Sequence, residues 1–563
     1  MSPLFQRLRR RRLFQWGLAY LAGAWLVFQG TEVLAEPWNL SVAVQRTIHV
    51  LLGAGFLITV VLAWYHGEKG RQRVSGLELL ILAGILAIGG AAVVLFGRGP
   101  QGGAAAARSE SVPSALSRKS VAVLPFVNVG GDSEDEIFSD GITFDIINHL
   151  SKIADLKVIS RTSIMQYKNT QLSLSEVAEE LGVATVLEGE VQKVGDRIRI
   201  NVQLVDAQTD RHIWAEQYNR VVEDVFAVQS EVARKIALAL QATMTEEVGE
   251  RIARVPTGNL EAYNSYLLGR HWWNRRTAEG LEQAIGYFED AIQRDSTFVL
   301  AYAGLADTYV LLPWYGDWQS SSVYPKALAA ARRAVELDGG SGEARTSLAI
   351  VRLWYEWDFR GAEAEFERAI ELSPSYATAH GWYAASLTYQ KRFDEAIARS
   401  RIALALDPLS AIIGTNLGDN LYYARRYDEA IEQYVGTLEL HPDFVYARRR
   451  LGQAYLQKQM YEEAEAELTK ASRLNAVLAG VYTAQGRREE AHAVLEAAAE
   501  GSLESQLYAL VGVGDIDGAF EVLGQAFERR AVWLLEYPAL DPYFDGLRAD
   551  ARFMALRNRY GLE

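Results

Sequence analysis

Three groups of side chains have types and spacings that chemistry could use. The first is acidic: Asp132, Glu134, Asp135, Glu136 and Asp140. A calcium loop needs oxygen ligands at alternate positions, a turn glycine and a closing carboxylate. That spacing is absent, and acidic residues are favoured near a helix start by the helix dipole, so no metal is expected. The second group is the eight histidines. They are scattered, and His271 beside Trp272 reads as helix packing. The chain has no cysteine, no HExxH, no GxSxG and no phosphate loop, which leaves no recognisable nucleophile, metal or nucleotide site. No catalytic residue and no cofactor are assigned. The third group suits recognition: Trp354, Tyr389, Thr415, Asp419, Tyr422, Tyr423, Arg449 and Gln453. Tyr and Trp offer apolar contact area at low entropy cost, although several of these residues could equally pack between helices. A carboxylate-clamp specificity would need clustered Lys, Arg and Asn. Only Arg449 and the nearby Asn416 and Asn420 fit that pattern.

A repeat picks out this third group. Ala362, Ala396, Ala430 and Ala464 recur every 34 residues, and Pro374, Pro408 and Pro442 recur at the same interval. Phe393-Asp394-Glu395-Ala396, Tyr427-Asp428-Glu429-Ala430 and Tyr461-Glu462-Glu463-Ala464 are one phrase written three times. A small Ala lets the second helix of a pair cross close to the first, and Pro ends that helix before the next pair. This period and pattern resemble the tetratricopeptide repeat. Weaker units around Ala284, Leu305, Ala327, Ala491 and Ala519 extend the set to about eight, over residues 259–540, with 541–563 as a C-terminal cap. In such arrays the first helix of each repeat lines a groove, where the eight residues above would sit.

Upstream, a compact α/β unit occupies residues 119–246, followed by a linker at 247–258. Ser120–Val127 and Leu156–Ser160 read as buried strands. Glu136–Ile153 and Val222–Met244 have helical spacing, Ser173 and Glu176 form a capping box, and Thr185–Val194, Arg197–Val205 and His212–Tyr218 alternate as a meander. The runs VAVLPFVN, FSDGITFDIINHLSKI, VATVLEGEVQKVGDRIRINVQLVDAQTDRHIWAEQYNR and VEDVFAVQSEVARKIALAL resemble the TolB-type (FlgO-like) amino-terminal domain. The resemblance implies an α/β module that often stands between an amino-terminal output module and carboxy-terminal repeats. It brings no catalytic residues.

The first hundred residues differ in composition. Residues 1–97 carry nine basic and four acidic side chains, and the remainder 48 and 67. The acidic remainder argues against nucleic acid as a main partner. After a basic tail at 1–12, apolar stretches at about 13–33, 45–65 and 77–96 predict a three-helix transmembrane region over 13–97. The Arg-rich start and Lys69, Arg71 and Arg73 then face the cytoplasm. Arg11-Arg12-Leu13-Phe14 also fits the start of a twin-arginine export signal, a less favoured reading. Residues 98–118 read as a flexible linker rich in Gly, Ala and Ser.

The expected fold class is therefore multidomain: a three-helix transmembrane anchor, a small α/β domain with a mixed sheet, and an all-α tetratricopeptide solenoid. The expected function is a non-enzymatic integral membrane scaffold. It would sit in a bacterial inner membrane, N-terminus cytoplasmic and soluble domains periplasmic, and bind protein or peptide partners through the groove and the α/β module. Alternatives are a membrane-bound signalling protein that senses a ligand or partner, and an unrecognised hydrolase in the α/β domain. The sequence leaves the oligomeric state open.

Overall fold

The computed structural model describes residues 119–560, apart from 131–132, 317 and 473–474. The α/β domain has six strands: β1 (Ser120–Val123), β2 (Val127–Asn128), β3 (Lys157–Val158), β4 (Thr185–Val194), β5 (Arg197–Asp206) and β6 (Arg211–Val221). They form a mixed sheet in the order β3-β1-β4-β5-β6, with β2 also beside β4. β1 runs parallel to β3 and β4, whereas β4, β5 and β6 are an antiparallel meander. Every residue of β1 is buried, as a continuous apolar strand requires, and Pro125 separates it from β2. Helices α1 (Ser133–Ser151), α2 (Leu174–Leu181), α3 (Val225–Ala239) and α4 (Glu246–Ala253) complete the domain. The capping box at the start of α2 forms: Glu176 N–H donates to Ser173 Oγ, and the Ser173 N–H donates to the Glu176 carboxylate at 2.7 Å.

Downstream, the described residues form eight antiparallel helix pairs. In order they are α5 (Leu260–Trp273) with α6 (Ala278–Arg294), α7 (Val299–Tyr315) with α8 (Ser320–Leu337), and α9 (Gly342–Val351) with α10 (Phe359–Leu372). Next come α11 (Ala377–Tyr389) with α12 (Phe393–Leu406), α13 (Ala411–Tyr423) with α14 (Tyr427–Leu440), and α15 (Val445–Gln457) with α16 (Tyr461–Ala471). The last two pairs are α17 (Leu478–Ala484) with α18 (Arg488–Ala499), and α19 (Leu503–Val513) with α20 (Ile516–Glu528). The four alanines spaced at 34 are fully buried. Gly418 plays the matching part on the first helix, where an added Cβ would meet the Tyr434 ring at 2.3 Å. The turns within the third to sixth pairs use a left-handed residue at the same period: Trp357, Lys391, Arg425 and Gln459 all have φ between 55° and 64°. The first helix of the third pair continues as a π-helical turn, Arg352–Glu356, a form often found at functional positions.

The α/β domain sits on the loops between repeats. Ser160 N–H donates to Leu406 O at 2.7 Å, and Gln166 donates to Leu409 O at 2.9 Å. Ser163 donates its N–H and its hydroxyl to Asp407 Oδ1 at 3.0 and 2.5 Å, while its hydroxyl accepts from Leu409 N–H at 2.9 Å. Ser375 donates to Leu156 O at 2.8 Å. Burial raises the Asp407 pKa against the pull of the Ser163 bonds. Asp407→Ala would leave two buried donors without an acceptor, at about 1–3 kcal/mol. The expected result is faster amide hydrogen exchange in 157–167 with little change in α13. Unchanged exchange in 157–167 would show that this contact does not hold the two parts together.

The transmembrane anchor is corrected. No helix among the described residues is long and apolar enough to cross a membrane, and segments 13–33, 45–65 and 77–96 lie outside the described residues. A span needs roughly 20 apolar residues. The strongly apolar α7 has 17 and carries the buried Asp307 at its centre. The fold class becomes an all-helical tetratricopeptide solenoid with a small mixed-sheet domain. The membrane-embedded, inner-membrane placement and the cytoplasmic and periplasmic sides derived from it are withdrawn with the anchor.

Candidate functional site: an inner groove holding the C-terminal segment

Four first helices of the repeats, α11, α13, α15 and α19, bond the chain's own C-terminal segment. After α20 the backbone makes short helical turns at Val532–Leu535, Tyr537–Leu540, Pro542–Phe544 and Asp545–Arg548 before α21 (Ala551–Arg559). Trp533, Leu534, Leu535, Tyr537, Leu540 and Phe544 are all buried.

Two carboxylates of this segment anchor it. Asp541 is fully buried. It accepts from the Tyr422 hydroxyl at 2.8 Å, the Tyr508 hydroxyl at 2.9 Å, the Tyr543 N–H at 2.9 Å and Arg450 Nη1 at 3.3 Å. Glu536 accepts from the Tyr423 hydroxyl at 2.7 Å and from Tyr389 at 3.4 Å. Burial pushes the Glu536 pKa up to about 7, with the Asp419 charge adding to the rise and Arg450 opposing it.

Arg450 is the hub. It is 1% exposed and donates to Asp419 Oδ1 at 2.6 Å and Gln453 Oε1 at 2.6 Å. Asp419 also accepts from Tyr434 at 2.6 Å and Tyr446 at 2.5 Å. The guanidinium lies 4.7 Å from the Tyr422 ring centre and 5.0 Å from that of Tyr423. Burial alone would weaken its charge, and the Asp419 carboxylate together with Tyr423, Tyr434 and Tyr446 more than reverses that. A buried charge persists only when so paired. Arg449, one residue earlier, pairs with Glu504 at 2.8 Å and donates to Tyr537 at 3.2 Å.

Of the residues picked from the sequence, Asp419, Tyr422, Tyr423, Arg449 and Gln453 come together around this segment, and Tyr389 meets it at Glu536. Trp354 stands on the π-helical turn beside Tyr389, with its ring 5.3 Å from Trp314 and 6.5 Å from Trp382. Thr415 spends its hydroxyl on Ala411 O within its own helix, at 2.8 Å. Sequence reasoning missed Arg450, Tyr508, Glu536 and Asp541. The run Arg448-Arg449-Arg450 was the available signal, because three adjacent arginines on a helix cannot all face water. The acidic residues near α1 find lysines: Asp135 pairs with Lys193 at 2.8 Å, and Glu136 and Asp140 pair with Lys168 at 2.6 and 2.7 Å. Among the described residues, no three His, Asp or Glu side chains gather as a metal site would require.

Comparison with known proteins divides along the same architecture. The family model for the tetratricopeptide repeat matches residues 351–411 and 415–476. The C-terminal region is built of tetratricopeptide repeats. Residues 117–235 match the second domain of HilA/YgeH-like transcriptional regulators, and the TolB-type resemblance is not what this match finds. A protein described as putative adenylate cyclase 3 of Rhizobium meliloti is 37% identical over 250 residues, 44% of this chain and 42% of that protein. The transcriptional regulator HilA of Salmonella typhimurium is 22% identical over 283 residues, 49% of each chain. The chain thus spans less than half the length of either relative. Among solved structures, a thermophilic TPR protein of Thermus thermophilus is 21% identical, with a TM-score of 0.30, covering 35% of this chain and 99% of that one.

Proposed function

We propose that this chain is a non-enzymatic scaffold that binds a protein or peptide partner on the inner surface of its repeat array, with the α/β domain closing one side of that surface. Repeats of this kind serve protein–protein interaction, and the observation that carries the reading here is the seated C-terminal segment. It supplies the chemistry of a bound peptide: two carboxylates received by Tyr and Arg side chains, with apolar residues buried between them. The eight groove residues belong to this proposal in two roles. Tyr389, Tyr422, Tyr423 and Arg449 hold the intramolecular segment, with Asp419 and Gln453 positioning Arg450 beside it, while Trp354, in a row with Trp314 and Trp382, and Thr415 are left for the external partner. The TolB-type reading of the α/β domain belongs here too and adds no catalytic group.

A photo-crosslinking residue in place of the half-buried Trp382, in the full chain in cells, tests the reading. One discrete protein adduct is expected from Trp382 and none from Glu282, which lies exposed on a second helix. Equal labelling from both positions would remove the groove from the proposal. A second reading, a regulatory protein whose partner-bound state is sensed elsewhere, is favoured by one observation: the α/β domain matches a domain of proteins described as transcriptional regulators.

A further inference from the structure

Where the α/β domain meets the first repeats, three arginines follow one another across two aromatic rings, and the middle one, Arg270, faces the Asp307 carboxylate. Arg161 begins the single helical turn Arg161–Ile164 of the α/β domain. Arg270 stands in the last turn of α5, and Arg276 in the turn that follows, held there with φ of 51°. The guanidiniums of Arg161 and Arg270 lie 5.4 and 5.6 Å from the centre of the Phe144 ring. Those of Arg270 and Arg276 lie 4.2 and 3.7 Å from the centre of the Trp273 ring. Among the described residues, the one acidic group within ion-pair distance is Asp307, 3.8 Å from Arg270 and already accepting from Ser347 at 2.6 Å. Asp140 acts on Arg161 only at longer range and is itself paired with Lys168. Arg161 and Arg276 form no ion pair with any described residue. Nε of Arg161, Nε of Arg270, and the indole N–H groups of Trp273 and Trp314 are buried and find no acceptor. Arg270 is 9% exposed and Trp273 3%.

Buried donors and like charges gathered without acceptors are costly, and folds keep them where an anion arrives. The same array meets the same need elsewhere with its own carboxylates, Asp419 and Asp541 on Arg450 and Glu504 on Arg449. No segment of the described chain does this for Arg161 and Arg276. Arg161 and Arg276 are half-buried, and desolvation, with the neighbouring Arg270 charge adding to it, lowers the pKa of each against the pull of Asp140 on Arg161 and of Tyr315 and Asp307 on Arg276. Helix α7 carries both Asp307 and Trp314, and Trp314 opens the indole row that continues through Trp354 to Trp382.

We propose that Arg161, Arg270 and Arg276 form a composite anion site, built across the α/β domain and the first repeats, that receives a carboxylate side chain of an acidic, partly apolar peptide segment of a partner. This deepens the scaffold reading and rests on it. Charge complementarity selects the acidic residue. The adjoining indole row selects a peptide over a small free anion, because it offers apolar contact to residues flanking the acid.

The test uses the full chain and a fluorescein-labelled peptide of alternating glutamate and leucine, read by anisotropy, with the lysine–leucine peptide as control. The glutamate peptide is expected to bind and the lysine peptide not to bind. Arg276→Gln and Arg161→Gln are each expected to weaken binding about tenfold, a typical loss for one charge-assisted contact. Arg276→Lys keeps the charge and should restore part of the affinity, which separates a lost contact from a misfolded variant. Binding that is absent in the parent chain, or unchanged in the Arg161→Gln/Arg276→Gln double variant, would overturn the site. Competition by inorganic phosphate at concentrations matching the peptide would overturn the peptide as its occupant. If the peptide fails while the Trp382 crosslinker still captures its adduct, this site falls and the scaffold reading stands. If the peptide binds while the crosslinker captures nothing, the scaffold reading falls, and the assignment of a partner's peptide to this site falls with it.

Discussion

Replacing Asp541 with alanine should release residues 532–548 from the groove, at a cost of about 3 kcal/mol. The figure follows from what the carboxylate does. It accepts two tyrosine hydroxyls, one backbone N–H and one Arg450 nitrogen with no solvent contact. Removing it strands buried donors, which cost about 1–3 kcal/mol each, while Asp419 still neutralises Arg450 and keeps the loss below that of a fully orphaned buried charge. Asp541→Asn keeps one acceptor oxygen, for Tyr422 and the Tyr543 N–H, and turns an amide donor toward Arg450 Nη1 and toward Tyr508, whose hydroxyl can rotate to accept, so it should lose about half as much. Limited proteolysis between 531 and 550, followed by mass spectrometry, reads the effect directly. Wild type should resist cleavage there, the alanine variant should be cut, and the asparagine variant should fall between. If Asp541→Ala leaves the segment as resistant as wild type, the apolar residues alone seat it, and the carboxylate chemistry loses its role as a pattern for partners.

The seating of the same segment should loosen as pH rises through about 7, by roughly 1–2 kcal/mol once the partial solvent contact of Glu536 is discounted. The cause is Glu536. Its folded pKa is raised to about 7 by burial first and by the Asp419 and Glu504 charges next, against Arg450 and the Tyr423 bond. A raised acid binds its proton more tightly when docked than when free. Its contribution to docking is therefore fully present below the free carboxyl value near 4.5 and is lost as pH climbs through the docked value. Hydrogen exchange of 532–548 should be slower at pH 6 than at pH 8, after correction for intrinsic rates. Asp145 and Asp307, raised to about 7 and about 6, titrate in the same window, so Glu536→Gln is the decisive control. It should flatten the pH dependence of this segment and leave that of α1 and α7 in place. Protection in 532–548 that varies with pH equally in Glu536→Gln and wild type would assign the effect elsewhere. In the scaffold reading, such a titration would favour an external acidic peptide over the intramolecular one as pH rises.

Much of the architecture was legible because its determinants are local. A repeat array packs each unit against its neighbours alone, so the alanines at 362, 396, 430 and 464 announced their own burial through spacing. Alternation and turn residues located β4, β5 and β6 within a few residues, and the Ser173–Glu176 cap was complete in four letters. Tyr389, Tyr422, Tyr423 and Arg449 were picked out by the repeat pattern, but that they bond the C-terminal segment was not legible. Tyr422 meets Asp541 across 119 residues of sequence, and Ser163 meets Asp407 across 244. No local pattern encodes pairs so distant, since a buried aspartate bonded to two tyrosines is written with the same letters as a solvated one. The sequence by itself determined the helix pairs and the mixed sheet. Only the tertiary structure decided that the C-terminal segment is seated on the first helices, and that Arg161, Arg270 and Arg276 line up across Phe144 and Trp273 with Arg270 alone ion-paired, to Asp307. Closing a long loop has an entropic cost that grows only slowly with its length, so contacts of this kind are set by which buried charges find partners, and that depends on the whole fold at once.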